Sequence, residues 1–138
     1  MGQSNFELAR IAYDAFSRKD YDTVFGMADP EIEYEFVGDF AEGNVFRGID
    51  AIRDLWNQLD EVFLEWQSRP EELIDLGDQV LVLARESGIG RASELEFDQK
   101  LGHLISFREG RITRFQVFGG WPRALRAVGL GQRPAESG

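Results

Sequence analysis

The chain has 138 residues, a formal net charge of −10 and no cysteine. That length suits a single domain that buries its core without a disulfide or a metal. The acidic balance and the lack of a basic stripe exclude a phosphate-neutralising nucleic-acid surface, and the missing thiols exclude Cys nucleophiles and zinc–thiolate sites. No charged segment followed by an apolar run opens the chain, and no apolar run is long enough to span a bilayer. A cytoplasmic protein without a membrane partner is expected.

Ser4-Asn5-Phe6-Glu7 is a capping-box pattern, and Phe6, Ala9, Tyr13 and Phe16 continue it as one helical stripe. Asp20 suits the cap of a second, short helix ended by Asp29-Pro30. Glu31–Val37 alternates as a strand with Ile32, Tyr34 and Phe36 on one side. Gly38–Gly48 reads as a loop. Asp50 is placed to cap a third helix, with Ile52, Leu55, Trp56, Leu59, Val62 and Phe63 as its stripe and an end near Glu65. A strand compatible with a sheet edge follows from Arg69-Pro70 to Leu76, then a strong strand over Gln79–Ser87.

Leu95–Phe118 reads as two long antiparallel strands joined at Glu109-Gly110, with Leu101, His103, Ile105 and Phe107 sharing a face. Leu104, Ile112 and Phe118 fall on the other face, which predicts a homodimer covering an apolar patch. Pro122 suits the first turn of a last helix, and Gly129 its end. The expected layout is one domain over residues 1–130 and a loose tail over 131–138. Its order, α-α-β-α-β-β-β-β-α, predicts an α+β fold with helices on one face of a curved, mostly antiparallel sheet and an apolar cavity between them.

Four stretches, AYDAFSRKDYDTVFGMADPEIEYEF, FRGIDAIRDLWNQLDEVF, EELIDLGDQVLVLAR and LGHLISFREGRITRFQVF with PRALRAVGL, resemble the nuclear-transport-factor-2-like (NTF2-like) superfamily. Within it the chain is similar to the SnoaL-like, ketosteroid-isomerase-related proteins. The resemblance implies a cone-shaped NTF2-like domain. It implies either cofactor-free isomerase or cyclase chemistry by proton transfer or a non-catalytic ligand-binding or dimerisation module. In the steroid isomerases a first-strand carboxylate moves the proton, and a tyrosine with a protonated acid holds the oxyanion. By alignment the carboxylate position falls on Glu35 and the acid position on His103. The tyrosine position falls on Ala12, with Tyr13 one residue away. Gly119-Gly120 stands where many relatives carry a further acid.

The candidate catalytic residues are therefore His103, Glu35 and Tyr34. A one-residue shift on the first strand exchanges Glu35 for Tyr34 or Phe36. Tyr13, Phe16, Trp56, Leu59, Phe63 and Phe118 are the candidate wall for a small hydrophobic or aromatic ligand. Of Arg85 and Glu86, which alternate faces, either is placed to enter the cavity. No nucleotide-binding, nucleophile-elbow or metal-ligand spacing occurs, so no cofactor and no metal are expected.

Overall fold

Ser4 caps the first helix, α1 (Asn5–Ser17), its hydroxyl accepting from the Glu7 backbone N–H at 3.1 Å. A computed structural model describes residues 4–38 and 45–131. Most of the predicted loop and tail, residues 39–44 and 132–138, lie outside the described residues. Asp20 caps α2 (Tyr21–Gly26) by accepting from the Thr23 N–H at 3.2 Å. Next come β1 (Ala28–Val37) and a short β2 (Val45–Arg47), which occupies part of the stretch read as a loop.

α3 (Ile49–Val62) departs from expectation at both ends. Gly48 is its N-cap, with no side-chain cap bond, and Asp50 lies inside the first turn, where a carboxylate favours the helix dipole. Its last residue runs directly into β3 (Phe63–Asp75), six residues before the predicted strand. The apolar spacing of α3 continues through Phe63 at helical period, so periodicity alone places its end too late. Phe63 is already extended, and Glu65 takes a left-handed backbone (φ 52°) where the β3–β4 register shifts.

β4 (Gln79–Gly90), β5 (Glu96–Arg108), β6 (Arg111–Phe118) and α4 (Trp121–Ala127) complete the chain. Glu109 and Gly110 both have positive φ (52° and 76°), which a two-residue turn between twisted strands requires. The curved, six-stranded sheet runs β2-β1-β6-β5-β4-β3, with β1–β6 parallel and every other pair antiparallel. The expected α+β class is the one observed.

β4 is buried on both faces. Val80, Val82 and Ala84 join the main core beneath α1–α3, while Leu81 and Leu83 face the opposite way and meet Leu104, Phe118, Ala124 and Leu125. α4 therefore covers the outer face. It comes close because Gly102 has no side chain: a Cβ there would lie 2.1 Å from the Ala124 Cβ.

This arrangement removes the reason for expecting a dimer through that patch. Leu104 and Phe118 are buried within one chain. Ile112 is turned into the main core, because a bulge between Ser106 and Phe107 leaves Thr113 out of the β5–β6 register. Gly102→Ala is expected to lower stability by about 1–3 kcal/mol through overpacking against α4. Ala124→Gly should restore part of the loss, as measured by denaturant unfolding of the single and double variants.

Candidate functional site

The inner faces of β1 and β3–β6, closed over by α1–α3, enclose a cavity of about 60 Å³. Its wall is mostly aromatic. Phe16 meets Trp56 and Trp66 edge-on at 5.0 and 5.2 Å, Phe25 packs on Trp56 at 4.9 Å, and Tyr34 stacks on Phe115 at 5.0 Å. Such rings present flat apolar surface with few ways to rearrange. Tyr13, Phe16, Tyr34, Trp56 and His103 all line the cavity.

Tyr13 projects from α1 onto β5, and its hydroxyl lies 2.5 Å from His103 Nδ1. Helical pitch and the facing strand thus bring Tyr13, rather than the aligned Ala12, to the histidine. Burial pushes the imidazole pKa down to about 3, so the ring is neutral at pH 7. Burial, with the Tyr34 hydroxyl and the Glu86 carboxyl nearby, pushes the Tyr13 pKa well above the usual phenol value. Two neutral groups share this bond. Either Tyr13 donates to Nδ1 and Nε2 carries the ring proton, or Nδ1–H donates to the Tyr13 oxygen and frees the phenol proton. Both arrangements leave one donor over, which suits a pair that polarises a carbonyl.

Among the described residues, Glu86 is the one carboxylate in the lining. Strand parity places it: Val82 pairs with His103, so the even positions of β4 share the histidine's face. Trp66 Nε1 donates to Glu86 Oε2 at 2.6 Å. Burial raises the Glu86 pKa above its ordinary value, and the Trp66 bond offsets part of that rise. Trp66 is held from behind by Lys19, whose Nζ donates to the Trp66 carbonyl and to Asp60 Oδ1 (2.9 Å) and sits 4.9 Å above the indole.

Glu35 is placed elsewhere. The alternation of β1 holds, Tyr34 faces the cavity, and Glu35 accepts from Arg114 Nη2 (2.9 Å) and Gln116 Nε2 (3.2 Å) on the other face. Leu59 and Phe63 pack beside the main core without lining the cavity, and Phe118 belongs to the outer cluster under α4. Sequence reasoning missed Trp66 and Ser68, which line the cavity from the stretch between the expected helix end near Glu65 and the expected strand start at Arg69. Glu86 was legible from the parity of His103 once the β4–β5 register was known.

Among the described residues, two buried side-chain polar atoms have no hydrogen-bond partner, Trp56 Nε1 and Ser68 Oγ. Burial, with the Glu86 carboxyl, raises the Tyr34 pKa above the usual phenol value, and Trp56 offsets a smaller part of that rise. Among the described residues no group of three or more His, Asp or Glu side chains converges as a metal-ligand set, and no helix is long and apolar enough to cross a membrane.

A family model described as the SnoaL-like domain matches residues 9–115, more than half of the chain. No curated protein matches the sequence. Among solved structures, the chain is similar to an NTF2-like protein from Burkholderia thailandensis, with 24% identity and a TM-score of 0.79 over 96% of this chain and 100% of that one. It is similar to a putative polyketide cyclase from Sinorhizobium meliloti, with 25% identity and a TM-score of 0.64 over 80% and 93% of the two chains. It is also similar to a protein of ketosteroid-isomerase-like fold from Catenulispora acidiphila, solved with trimethylamine, at 17% identity and a TM-score of 0.72 over 93% and 95%.

The neutral histidine has a consequence for stability. Its pKa, about 3 when folded, lies below the 6.5 of the free side chain, so the unfolded chain takes up this proton first as pH falls. The contribution of His103 is therefore complete above about pH 6.5 and is lost as pH falls towards 3, by up to about 1.4 kcal/mol per pH unit. Unfolding free energies of the wild type and His103→Asn between pH 7 and pH 4 should converge as pH falls. A constant difference across that range would contradict burial of the neutral ring.

Proposed function

The chain belongs to the SnoaL-like domain family, and from that premise we propose that it binds a small, flat, apolar or aromatic carbonyl compound and moves a proton on it without a cofactor, as an isomerase or cyclase. The observation that carries this reading is the pairing, in one aromatic cavity, of a neutral Tyr13–His103 donor with a half-buried carboxylate, Glu86. Tyr13, Phe16, Tyr34 and Trp56 serve as the wall.

In this reading the donor left over from the Tyr13–His103 bond donates to the substrate carbonyl oxygen. As a proton leaves the adjacent carbon, negative charge gathers on that oxygen, and a preorganised donor in a dry site stabilises it. Glu86 takes the proton. A carboxylate with a raised pKa is a stronger base than one in water and still gives the proton back to another carbon. Glu86 thus takes the role that alignment gave to Glu35, reaching the cavity from β4 rather than β1. His103, with its lowered pKa, acts as a neutral donor rather than as the base.

The test is deuterium exchange at the carbon beside the carbonyl of an aromatic ketone in D2O, followed by NMR. The wild type should accelerate exchange. Glu86→Gln should reduce the acceleration by about 10²–10⁴-fold and Tyr13→Phe by about 10²–10³-fold. Ketone binding with no exchange by the wild type would replace this reading with that of a non-catalytic binding module.

The same assignment predicts a trade of stability for function. The folded pKa of Glu86 is raised above the unfolded value, so burial of the ionised form destabilises the fold increasingly as pH rises through that interval. Glu86→Gln keeps an oxygen to accept from Trp66 and carries no charge. Its melting temperature at pH 7 should exceed that of the wild type, and a lower one would count against a strained carboxylate.

A further inference from the structure

The cavity holds a polar side chain that neither the fold nor the mechanism above uses. Ser68 is 6% exposed, lines the cavity, and its hydroxyl has no hydrogen-bond partner among the described residues. A buried hydroxyl without a hydrogen bond costs free energy, so it reads as a group whose partner arrives with the ligand. Its place is specific: Ser68 on β3 sits directly across from Glu86 on β4. Glu86 Oε2 is engaged by Trp66, which leaves Oε1 for a ligand.

We propose that Ser68 and Glu86 form a subsite for a hydroxyl group carried on the carbon beside the substrate carbonyl, the carbon from which Glu86 takes the proton. A hydroxyl is the group that fits both residues, since it donates to the carboxylate and accepts from the serine O–H at once. An ether or ketone oxygen satisfies only the serine, and an ammonium only donates. Ser68 lies directly across from Glu86, so the hydroxyl it meets is the one next to the carbon that Glu86 deprotonates. The substrate class that follows is an aromatic ketone with a hydroxyl on the carbon beside the carbonyl.

This rests on the reading of the cavity given above, and a pair of ligands separates the two. Calorimetric titration of the full chain with acetophenone and with 2-hydroxy-1-phenylethanone, whose hydroxyl is on the carbon beside the carbonyl, compares the same ring and carbonyl with and without the hydroxyl. The wild type should bind the hydroxylated ketone roughly tenfold more tightly. Ser68→Ala should cut that preference about fivefold and leave acetophenone affinity within about twofold of wild type. Ser68→Thr, which keeps the hydroxyl, should retain the preference, and thermal melts establish that each variant is folded. Equal binding of the two ketones by the wild type, or a preference that survives Ser68→Ala, overturns the hydroxyl subsite alone. If neither ketone binds, the cavity reading falls and the subsite with it.

Discussion

The register of β4 against β5 is the constraint on which the rest depends. With Val82 opposite His103, the even positions of β4 face the helices and the odd positions face α4. Because both sets are apolar, hydrophobicity does not choose between them, and a one-residue slip would exchange Val80, Val82, Ala84 and Glu86 for Leu81, Leu83 and Arg85. Volume makes the choice. The outer face takes the leucines against α4, and the close approach of Ala124 to Gly102 locks that side. The inner face takes smaller residues, which leaves room for a cavity, and Glu86 arrives in it as a consequence.

Placing a carboxylate and an imidazole in such a wall has a cost that the surrounding groups only partly offset. Each is neutral or pushed toward neutrality by burial, because no cation or anion is hydrogen-bonded to it. Tyr13 answers His103 and Trp66 answers Glu86, each with a single bond. Lys19 acts one step further out, fixing Trp66 through its carbonyl and its ring face. Neighbouring polar groups left partly unsatisfied in this way are typical of sites where a ligand completes the hydrogen bonding.

Much of this was legible in the sequence. The helix caps at Ser4 and Asp20, the turn at Glu109-Gly110 and the inward face of His103 follow from local chemistry and strand period, and the structure has them there. What was not legible has physical causes. The α3–β3 junction has no turn residue to mark it, so Trp66 and Ser68 fell between the expected helix end and the expected strand start. The bulge at Thr113 reverses the alternation of β6 and turns Ile112 inward, and nothing in the local composition signals it. Tyr13 reaches His103 although its aligned position is off by one, because a long side chain on a helix tolerates a small rotation that a residue count does not. Glu35 followed its strand alternation rather than the alignment.

The central claim is that Glu86 is the group that exchanges protons with the ligand. Its ionisation can be followed directly by carbon NMR of labelled glutamate side chains, with the signal assigned by its loss in Glu86→Gln. The account predicts a midpoint above that of an ordinary glutamate, shifted again when an aromatic ketone occupies the cavity. A midpoint at the ordinary value that does not respond to the ketone would contradict it.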